Sequence, residues 1–362
     1  MKKTKGKKLR SNMITYLIVI IAFVVIQALS SGGILTNNIK GMLVPICAYV
    51  CMAISLNLTV GILGELSLGH AGFMSVGAFT GVVVTLCLET SVSSGPLRLL
   101  IAIVCGAITA AIAGVIIGIP VLRLRGDYLA IVTLAFGEII KNILNNTYIG
   151  LDESGLHFSM KDMNALQAAG GKVLLNGPMG AIGVTKLSTF AAGFILVLVV
   201  LTVALNLINS RTGRAVMAIR DNRIAAEATG INITKYKLMA FVTSASLAGM
   251  AGALYALNYS TIVPKKFDFN TSILILVFVV LGGIGNIRGS IIAAAILTIL
   301  PEMLRAFSNY RMLIYAIVLI LVMLGTNNPM LKRKIGEFRE KVGLSRKAID
   351  MSTEGGAGDD RK

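Results

Sequence analysis

The most constraining feature of this sequence is a succession of apolar windows, most of them about 17–25 residues long. A helix rises about 1.5 Å per residue, so about 20 apolar residues cross the ~30 Å hydrocarbon core of a bilayer. Charged residues make up 14% of the chain and hydrophobic residues 55%, whereas a soluble domain usually carries about 25% charged residues. The chain is therefore predicted to fold in lipid, as an all-α, polytopic integral membrane helical bundle.

The apolar windows predict about ten transmembrane spans within one domain, residues 13–326. The windows are 13–30, 41–60, 67–88, 97–121, 128–148, 187–208, 238–258, 271–286, 289–307 and 312–326. Two of them are weak, because 67–88 is rich in glycine and serine and 271–286 is short. Either of these two could be re-entrant or broken.

The distribution of basic residues predicts that both termini lie in the cytoplasm. Lys and Arg concentrate in 1–12, 209–237 and 327–362, and cytoplasmic segments of membrane proteins carry an excess of these residues. The two ends are then cytoplasmic tails, basic at the N-terminus and charged at the C-terminus. Residues 149–186 become an external loop and 209–237 a cytoplasmic loop. The net charge of +17 does not indicate nucleic acid, because the charge lies in tails and short loops rather than in one patch.

The sequence contains no motif that would make this chain an enzyme. The phosphate-binding pattern G-x-x-x-x-G-K-[ST] is absent, so any ATP and Mg used by the protein must be bound by another chain. His70 and His157 are the only histidines, which excludes a histidine-rich metal site. The four cysteines fall inside apolar windows, where they act as small hydrophobic residues. We predict a non-catalytic membrane protein with no metal or cofactor of its own.

The cytoplasmic loop 209–237 contains the most informative stretch of the chain. Good helix formers from Arg220 to Thr229 predict a short helix, which Gly230 closes. This helix is not apolar enough to span the membrane, and it suits docking into a groove on a soluble partner. The alternative is an amphipathic segment lying on anionic lipid.

Several separated motifs resemble the permease subunits of ABC importers. Ile224–Gly230 is similar to their coupling-loop pattern E-A-A-x-x-x-G, with isoleucine in place of the leading glutamate. Residues 40–325 resemble the branched-chain amino acid permease family, the LivM type in particular. The segments that carry this further resemblance are Asn57–Gly61, Leu66–Phe73, Leu124–Leu134 and Val280–Asn286.

The resemblance implies a membrane-spanning permease subunit of an ATP-driven importer for leucine, isoleucine, valine or related amino acids. It also implies a second homologous permease, two cytoplasmic ATPases that bind ATP and Mg, an extracytoplasmic solute-binding protein and the cell membrane of a prokaryote. The implied ATPase-coupling residues are Gly213, Arg214, Ala225, Ala226, Glu227 and Gly230. The alternatives are a permease for urea or short amides and an ion-coupled secondary amino acid carrier. The carrier would need carboxylates deep in the spans.

A translocation pathway is predicted around the glycine-rich window 67–88. Its glycines suit a broken or tightly packed helix, whose unwound backbone could meet the ammonium or carboxylate group of a solute. Ionisable residues in a span are functional candidates by default. His70 could instead be a hydrogen-bonded core residue, and Glu138 could simply pair with Lys141. The candidate pathway residues are Ser67, Gly69, His70, Gly72 and Glu138.

Overall fold

A computed structural model describes residues 2–32, 36–89, 91–124, 126–152, 155–160, 172–304 and 310–327. The predicted C-terminal tail beyond Asn327 lies outside the described residues, as do Arg125 and the part 161–171 of the predicted external loop. The chain divides into two units, Met1–Met303 and Leu304–Lys362. The second unit contributes one described α-helix.

Helices form most of the first unit. In chain order they are α1 (Lys2–Ser31), α2 (Asn37–Asn57), α3 (His70–Cys87), α4 (Gly95–Val121), α5 (Asp127–Asn145), α6 (Phe190–Asn209), α7 (Arg211–Asp221), α8 (Arg223–Ala228), α9 (Ile233–Ala256), α10 (Phe269–Gly282) and α11 (Ile287–Met303). The helix of the second unit is α12 (Arg311–Asn327). A π-helical turn, Leu58–Leu63, continues α2, and 3-10 turns occupy Gly177–Met179 and Pro264–Phe267.

Seven helical segments are long and apolar enough to cross a bilayer. They are Met13–Ser31, Asn38–Leu63, His70–Cys87, Gly95–Val121, Tyr128–Asn145, Phe190–Asn209 and Ile233–Ala256. These segments coincide with the first seven predicted windows, so the prediction of a polytopic helical membrane protein is confirmed. The predicted count of about ten is not, because in the described chain the last three windows hold helices of 14, 17 and 17 residues. At about 1.5 Å per residue, α10 is only about 21 Å long, which is short of a ~30 Å hydrocarbon core.

The centre of the bundle is α9, which packs against α2, α3 and α4. Small residues set how closely these helices approach. A Cβ at Gly77 on α3 would overlap the backbone of Gly249 on α9, and a Cβ at Gly249 would overlap the carbonyl oxygen of Gly106 on α4. Lipid supplies no hydrophobic drive for helices to associate, so close packing of this kind holds such a bundle together.

The segment predicted as an external loop contains strands that were not predicted. The antiparallel strands β1 (Tyr148–Asp152), β2 (Gly155–Ser159) and β3 (Lys172–Asn176) form a sheet in the order β2-β1-β3. A second pair, β4 (Ala181–Ile182) and β5 (Thr261–Ile262), joins the segment after α5 to the segment after α9. Strands this short carry too few residues for a period-two pattern to stand out in the sequence.

The helices α10 and α11 form a hairpin with a glycine turn. Gly283 and Gly285 have φ angles of 92° and 80°, a region that residues with a Cβ rarely adopt. A Cβ at Gly289 would overlap the carbonyl oxygen of Gly282, so the two helices meet backbone to backbone. The motif Val280–Asn286 therefore encodes this tight hairpin.

Candidate functional site

The third predicted span is broken at its beginning. The π-turn ends at Leu63, Gly64 has a φ angle of 79°, and helix resumes only at His70. Ser67 and Gly69, in the non-helical segment 64–69, are buried. Non-helical backbone at membrane depth is tolerated only where protein covers it or where it lines a cavity. This break is thus a place where the bundle departs from simple helix packing.

Side chains of two other helices satisfy backbone N–H groups at the break. The N–H of Leu68 donates to Oγ1 of Thr133 on α5 at 3.1 Å, and the N–H of Ala71 donates to Oγ of Ser272 on α10 at 3.1 Å. An unsatisfied backbone group in hydrocarbon costs several kcal/mol. The two hydroxyls therefore stabilise the break and bring α5 and α10 to it.

Glycines allow α3 and α5 to meet at this point. A Cβ at Gly69 would overlap the carbonyl oxygen of Thr133, and a Cβ at Gly72 would lie 2.9 Å from the Cα of Gly137. A small pocket beside this crossing is lined by Gly72, Gly137 and Glu138, among others. The structure therefore brings three of the predicted pathway residues, Gly69, Gly72 and Glu138, into one region.

The carboxylates of Glu138 and Asp268 line the same pocket, and Lys141 lies near both of them. Glu138 and Lys141, one turn apart on α5, form an ion pair with side chains that are 33% and 19% exposed. Asp268 also lines the pocket and lies close enough to Lys141 for the two charges to interact. Charged side chains in a span face a bundle interior or water, because facing lipid is costly. The sequence indicated the Glu138–Lys141 pair by its spacing, whereas Asp268 follows the 3-10 turn before α10 and was missed.

Asp268 is held in its ionised form. Its Oδ1 accepts the N–H of Thr271 at 3.0 Å, and its Oδ2 accepts the side-chain amide of Asn270 at 3.0 Å. Partial burial raises the pKa of Asp268, but these hydrogen bonds and the charge of Lys141 outweigh burial and hold the pKa below its usual range. The carboxylate also caps the N-terminus of α10, where a negative charge is favourable.

Two of the predicted pathway residues lie in the core instead. His70 is buried, and its Nε2 lies 2.7 Å from Oγ of Ser55 on α2. This is the hydrogen-bonded core histidine that the sequence left open as an alternative. Ser67 is also buried, and its Oγ has no hydrogen-bond partner among the described residues.

The segment predicted to be cytoplasmic forms a compact elbow, residues 210–232, between α6 and α9. The single helix predicted from Arg220 to Thr229 is wrong, because α7 ends at Asp221 and α8 begins at Arg223. Oδ1 of Asn222 accepts the N–H of Ala225 at 3.0 Å, and this N-cap starts a new helix. Gly230 follows α8 with a φ angle of 82°, which agrees with its predicted place just after the helix.

A small core packs the elbow against the beginning of α9. Ile219, Ala226 and Ile233 are buried together, and Ile231 and Tyr236 pack against them. The predicted coupling residue Ala226 thus acts from inside the elbow, by holding α8 against α7 and α9.

Two further predicted residues lie where α6 turns into α7. Gly213 is buried, and a Cβ there would overlap the carbonyl oxygens of Leu207 and Ile208. Arg214 is exposed, and its Nη1 donates to the carbonyl oxygen of Asn209 at 3.3 Å. Gly213 therefore sets the angle at which the elbow leaves the membrane-spanning helix.

The outer surface of α8 is open to solvent. Ala225, Glu227 and Gly230 are exposed, and Ile224 beside them is 81% exposed. We call Ile224, Ala225 and Glu227 the elbow face. A large apolar side chain this exposed on a capped helix is suited to insertion into a pocket of another protein.

A buried ion pair that the sequence did not indicate lies beneath the elbow. Nζ of Lys237 on α9 binds Oε1 of Glu65 in the broken segment, and the two side chains are 7% and 14% exposed. The residues are 172 positions apart, so no local pattern could pair them. The pair joins the beginning of α9 to the break in the third span.

Replacing Glu65 with glutamine is expected to destabilise the protein by about 3–5 kcal/mol, because Lys237 would be left buried without its counter-charge. The free energy of unfolding in mixed micelles measures this loss. The double variant Glu65→Gln/Lys237→Met removes both charges and is expected to recover most of it. A double variant as unstable as Glu65→Gln would contradict the expectation.

The sequence of the chain matches a known protein family. Residues 38–323 match the family described as branched-chain amino acid transport system / permease component. The chain belongs to this permease family. The resemblance inferred from the separated motifs is thereby confirmed, and the chain is a non-catalytic permease subunit located in a membrane. Family membership also argues against the ion-coupled carrier.

Individual relatives carry more specific names. The permease is 34% identical over 316 residues to the high-affinity branched-chain amino acid transport system permease protein LivM of Salmonella typhimurium, which covers 80% of this chain and 71% of that relative. It is 34% identical over 313 residues to LivM of Escherichia coli, with 80% and 70% covered. It is also 24% identical over 315 residues to the fructose import permease protein FruG of Bifidobacterium longum, with 84% and 86% covered. No solved structure matches the permease.

Proposed function

We propose that this permease is one of two membrane subunits of an ATP-driven importer for leucine, isoleucine, valine or related amino acids. The observation that carries the proposal is the elbow, a capped and internally packed helix pair that exposes Ile224 in a chain of the branched-chain amino acid permease family. Two cytoplasmic ATPases hold ATP and Mg, and one of them docks on the elbow face of this chain. A homologous second permease completes the pathway, and an extracytoplasmic binding protein delivers the cargo.

Glu138, Lys141 and Asp268 form a wall of the translocation pathway in this proposal. Only 17% of the span Tyr128–Asn145 is buried within the chain, yet this span carries the Glu138–Lys141 pair. Charges at membrane depth are costly against lipid, so this side of α5 faces water or the second permease. The ammonium and carboxylate groups of an amino acid can meet the two carboxylates and Lys141 in turn. Gly69 and Gly72 contribute by letting α5 approach the break.

We propose a topology with both termini in the cytoplasm and ten crossings, in which α10, α11 and α12 complete the count. The 3-10 turn Pro264–Phe267 directly precedes α10, so the segment available to cross the membrane is longer than α10 alone. In this topology the α10–α11 pair crosses twice and returns the chain to the side on which it began. Cysteine labelling from each side of the membrane tests the orientation of the chain. Lys235→Cys is expected to react from the cytoplasm and Ile182→Cys from outside.

The function is tested by expressing the permease with the ATPases, second permease and binding protein of its own genome, and by reconstituting the purified complex in proteoliposomes. ATP-driven uptake of leucine, isoleucine or valine is the expected result. Uptake of urea or a short amide alone would replace the cargo and keep the mechanism. A chain that purifies by itself and transports on an ion gradient without ATP would contradict the proposal.

Replacing Glu138 with glutamine is expected to reduce ATP-driven uptake about tenfold or more, because the pathway loses a carboxylate that meets the cargo's ammonium group, a loss of about 1.4 kcal/mol or more. Initial uptake rates in proteoliposomes measure the effect. The matched control is Glu89→Gln, because Glu89 lies just beyond the C-terminal end of α3, outside the proposed wall. This variant should transport like the unmodified protein. Equal uptake rates in the two variants would show that Glu138 is not part of the pathway.

A further inference from the structure

We infer that Arg220 and Asn57 are positioning residues that connect the elbow to the α10–α11 hairpin, so that movement of the elbow reaches the pathway wall. The inference rests on the proposed function, because it assigns the route by which an ATPase docked on the elbow face would act on the pathway. It names residues that lie on neither the elbow face nor the wall.

The first connection joins the elbow to the end of α2. Nη1 of Arg220, on α7, donates to the carbonyl oxygen of Gly61 in the π-turn at 2.8 Å. Carbonyl groups in the last turn of a helix lack an intrahelical N–H partner, so the guanidinium satisfies a group that would otherwise be unpaired. The stem of Arg220 lies over Gly64, where a Cβ would come within 2.5 Å of Cγ of Arg220.

Asp221 fixes the guanidinium in this position. Its Oδ1 accepts hydrogen bonds from Nε and Nη2 of Arg220 at 3.1 and 2.9 Å. Only Nη1 then points to α2. Two hydrogen bonds to Asp221 on one side and a third to Gly61 on the other therefore orient the planar guanidinium of Arg220 toward α2.

The second connection joins the end of α2 to the hairpin turn. Oδ1 of Asn57 accepts the N–H of Gly285 at 2.9 Å, and its Nδ2 donates to Oγ of Ser290 at 2.7 Å. Asn57 and Ser290 are fully buried. A Cβ at Gly61 would overlap both Oδ1 of Asn57 and the backbone nitrogen of Gly285, so the carbonyl-bearing residue that Arg220 contacts also lies directly against the hairpin.

The hairpin carries the connection to the pathway wall. The turn at Gly285 lies at one end of α10, and Asp268 and Ser272 lie at the other. Ser272 bonds the broken segment, and Asp268 lines the pocket with Glu138. A displacement of the elbow that pulls on Gly61 would therefore move α10 as a rigid body. The π-turn at 58–63 is a deformable part of this route, since π-helical turns are rare and occur frequently at functional sites.

A contact network does not by itself establish coupling, so the test measures coupling directly. In the reconstituted complete transporter, Arg220→Gln is expected to lower uptake about tenfold, within the usual 5–150-fold range of allosteric coupling. Binding of the ATPases and basal ATP hydrolysis should stay within about twofold of the unmodified complex, so the number of ATP molecules hydrolysed per amino acid transported should rise. Arg220→Lys keeps one donor for Gly61 and should recover part of the uptake.

Arg123→Gln is the matched control, because Arg123 is an exposed arginine near the end of α4 with no role in the proposed connection. It should leave the ratio of ATP to transported amino acid unchanged. The inference would be overturned if Arg220→Gln leaves this ratio unchanged, or if it lowers uptake and ATPase binding in parallel. The proposed function would still stand in either case, provided that the unmodified complex shows ATP-driven uptake. Uptake without ATP by the unmodified complex would overturn both.

Discussion

Replacing Gly69 with alanine is expected to prevent the bundle from packing around the broken third span. The added Cβ would overlap the carbonyl oxygen of Thr133, and this neighbour is backbone, so it cannot move away like the end of a flexible side chain. Overpacking of a core costs about 1–3 kcal/mol and sometimes more. Moving α5 away would also break the hydrogen bond from Leu68 to Thr133, which leaves a backbone N–H unsatisfied in a region without water.

The measurement is the thermal unfolding temperature in detergent, together with the fraction of protein that elutes as a single species. Gly41→Ala is the matched control, since Gly41 lies within α2 and a Cβ there meets nothing within 4 Å. Alanine in a helix is more stable than glycine by about 0.5–1 kcal/mol, so Gly41→Ala should unfold at the same temperature or slightly higher. If Gly69→Ala unfolds at the same temperature as the control, α3 and α5 do not approach each other as closely at the break as described.

Replacing Ile224 with lysine is expected to detach the ATPases while leaving the permease folded. Ile224 is 81% exposed, so its apolar surface contributes little within this chain. Burial of such a side chain in a partner stabilises the complex by about 1.5–3 kcal/mol, and lysine would instead place a charge in the docking pocket. We expect the affinity for the ATPases to fall about tenfold or more, and ATP-driven uptake to fall with it.

The affinity is measured by co-purification of the ATPases, added at increasing concentrations, with the permease in detergent. Folding is measured by the thermal unfolding temperature of the permease. The matched control is Ile182→Lys, another exposed isoleucine, which lies on β4 outside the elbow and should retain the ATPases. Retention of the ATPases by Ile224→Lys at unmodified affinity would show that the elbow face does not carry the contact. A large drop in its unfolding temperature would show instead that Ile224 supports the fold.

Local features of the chain were predicted from the sequence because their causes are local. An apolar window specifies a spanning helix by length and composition alone, and the first seven windows are helices of this kind. Gly230 closes α8 and Glu138 pairs with Lys141, because both depend on residues within one helical turn. The division of the elbow at Asn222 was missed, since the side-chain cap competed successfully with a continuous helix.

The candidate site required contacts between residues distant in the chain. The ion pair of Glu65 with Lys237 and the position of Asp268 beside Glu138 join segments more than a hundred residues apart. A single sequence contains no periodicity that reports such pairs. The same holds for the hydrogen bond between His70 and Ser55, which joins two different helices.

A helical membrane protein could be predicted from the chain alone, because lipid imposes one solution on long apolar segments. Its resemblance to permeases could be recognised because several motifs stand in one order along the chain. The packed helices were needed to locate the break in the third span, the glycines that touch, and the hydrogen bonds of Arg220 and Asn57 between the elbow, the end of α2 and the hairpin. The physical reason is that lipid exposure is a property of each segment, whereas close backbone approach and buried polar pairing exist only after the segments have packed.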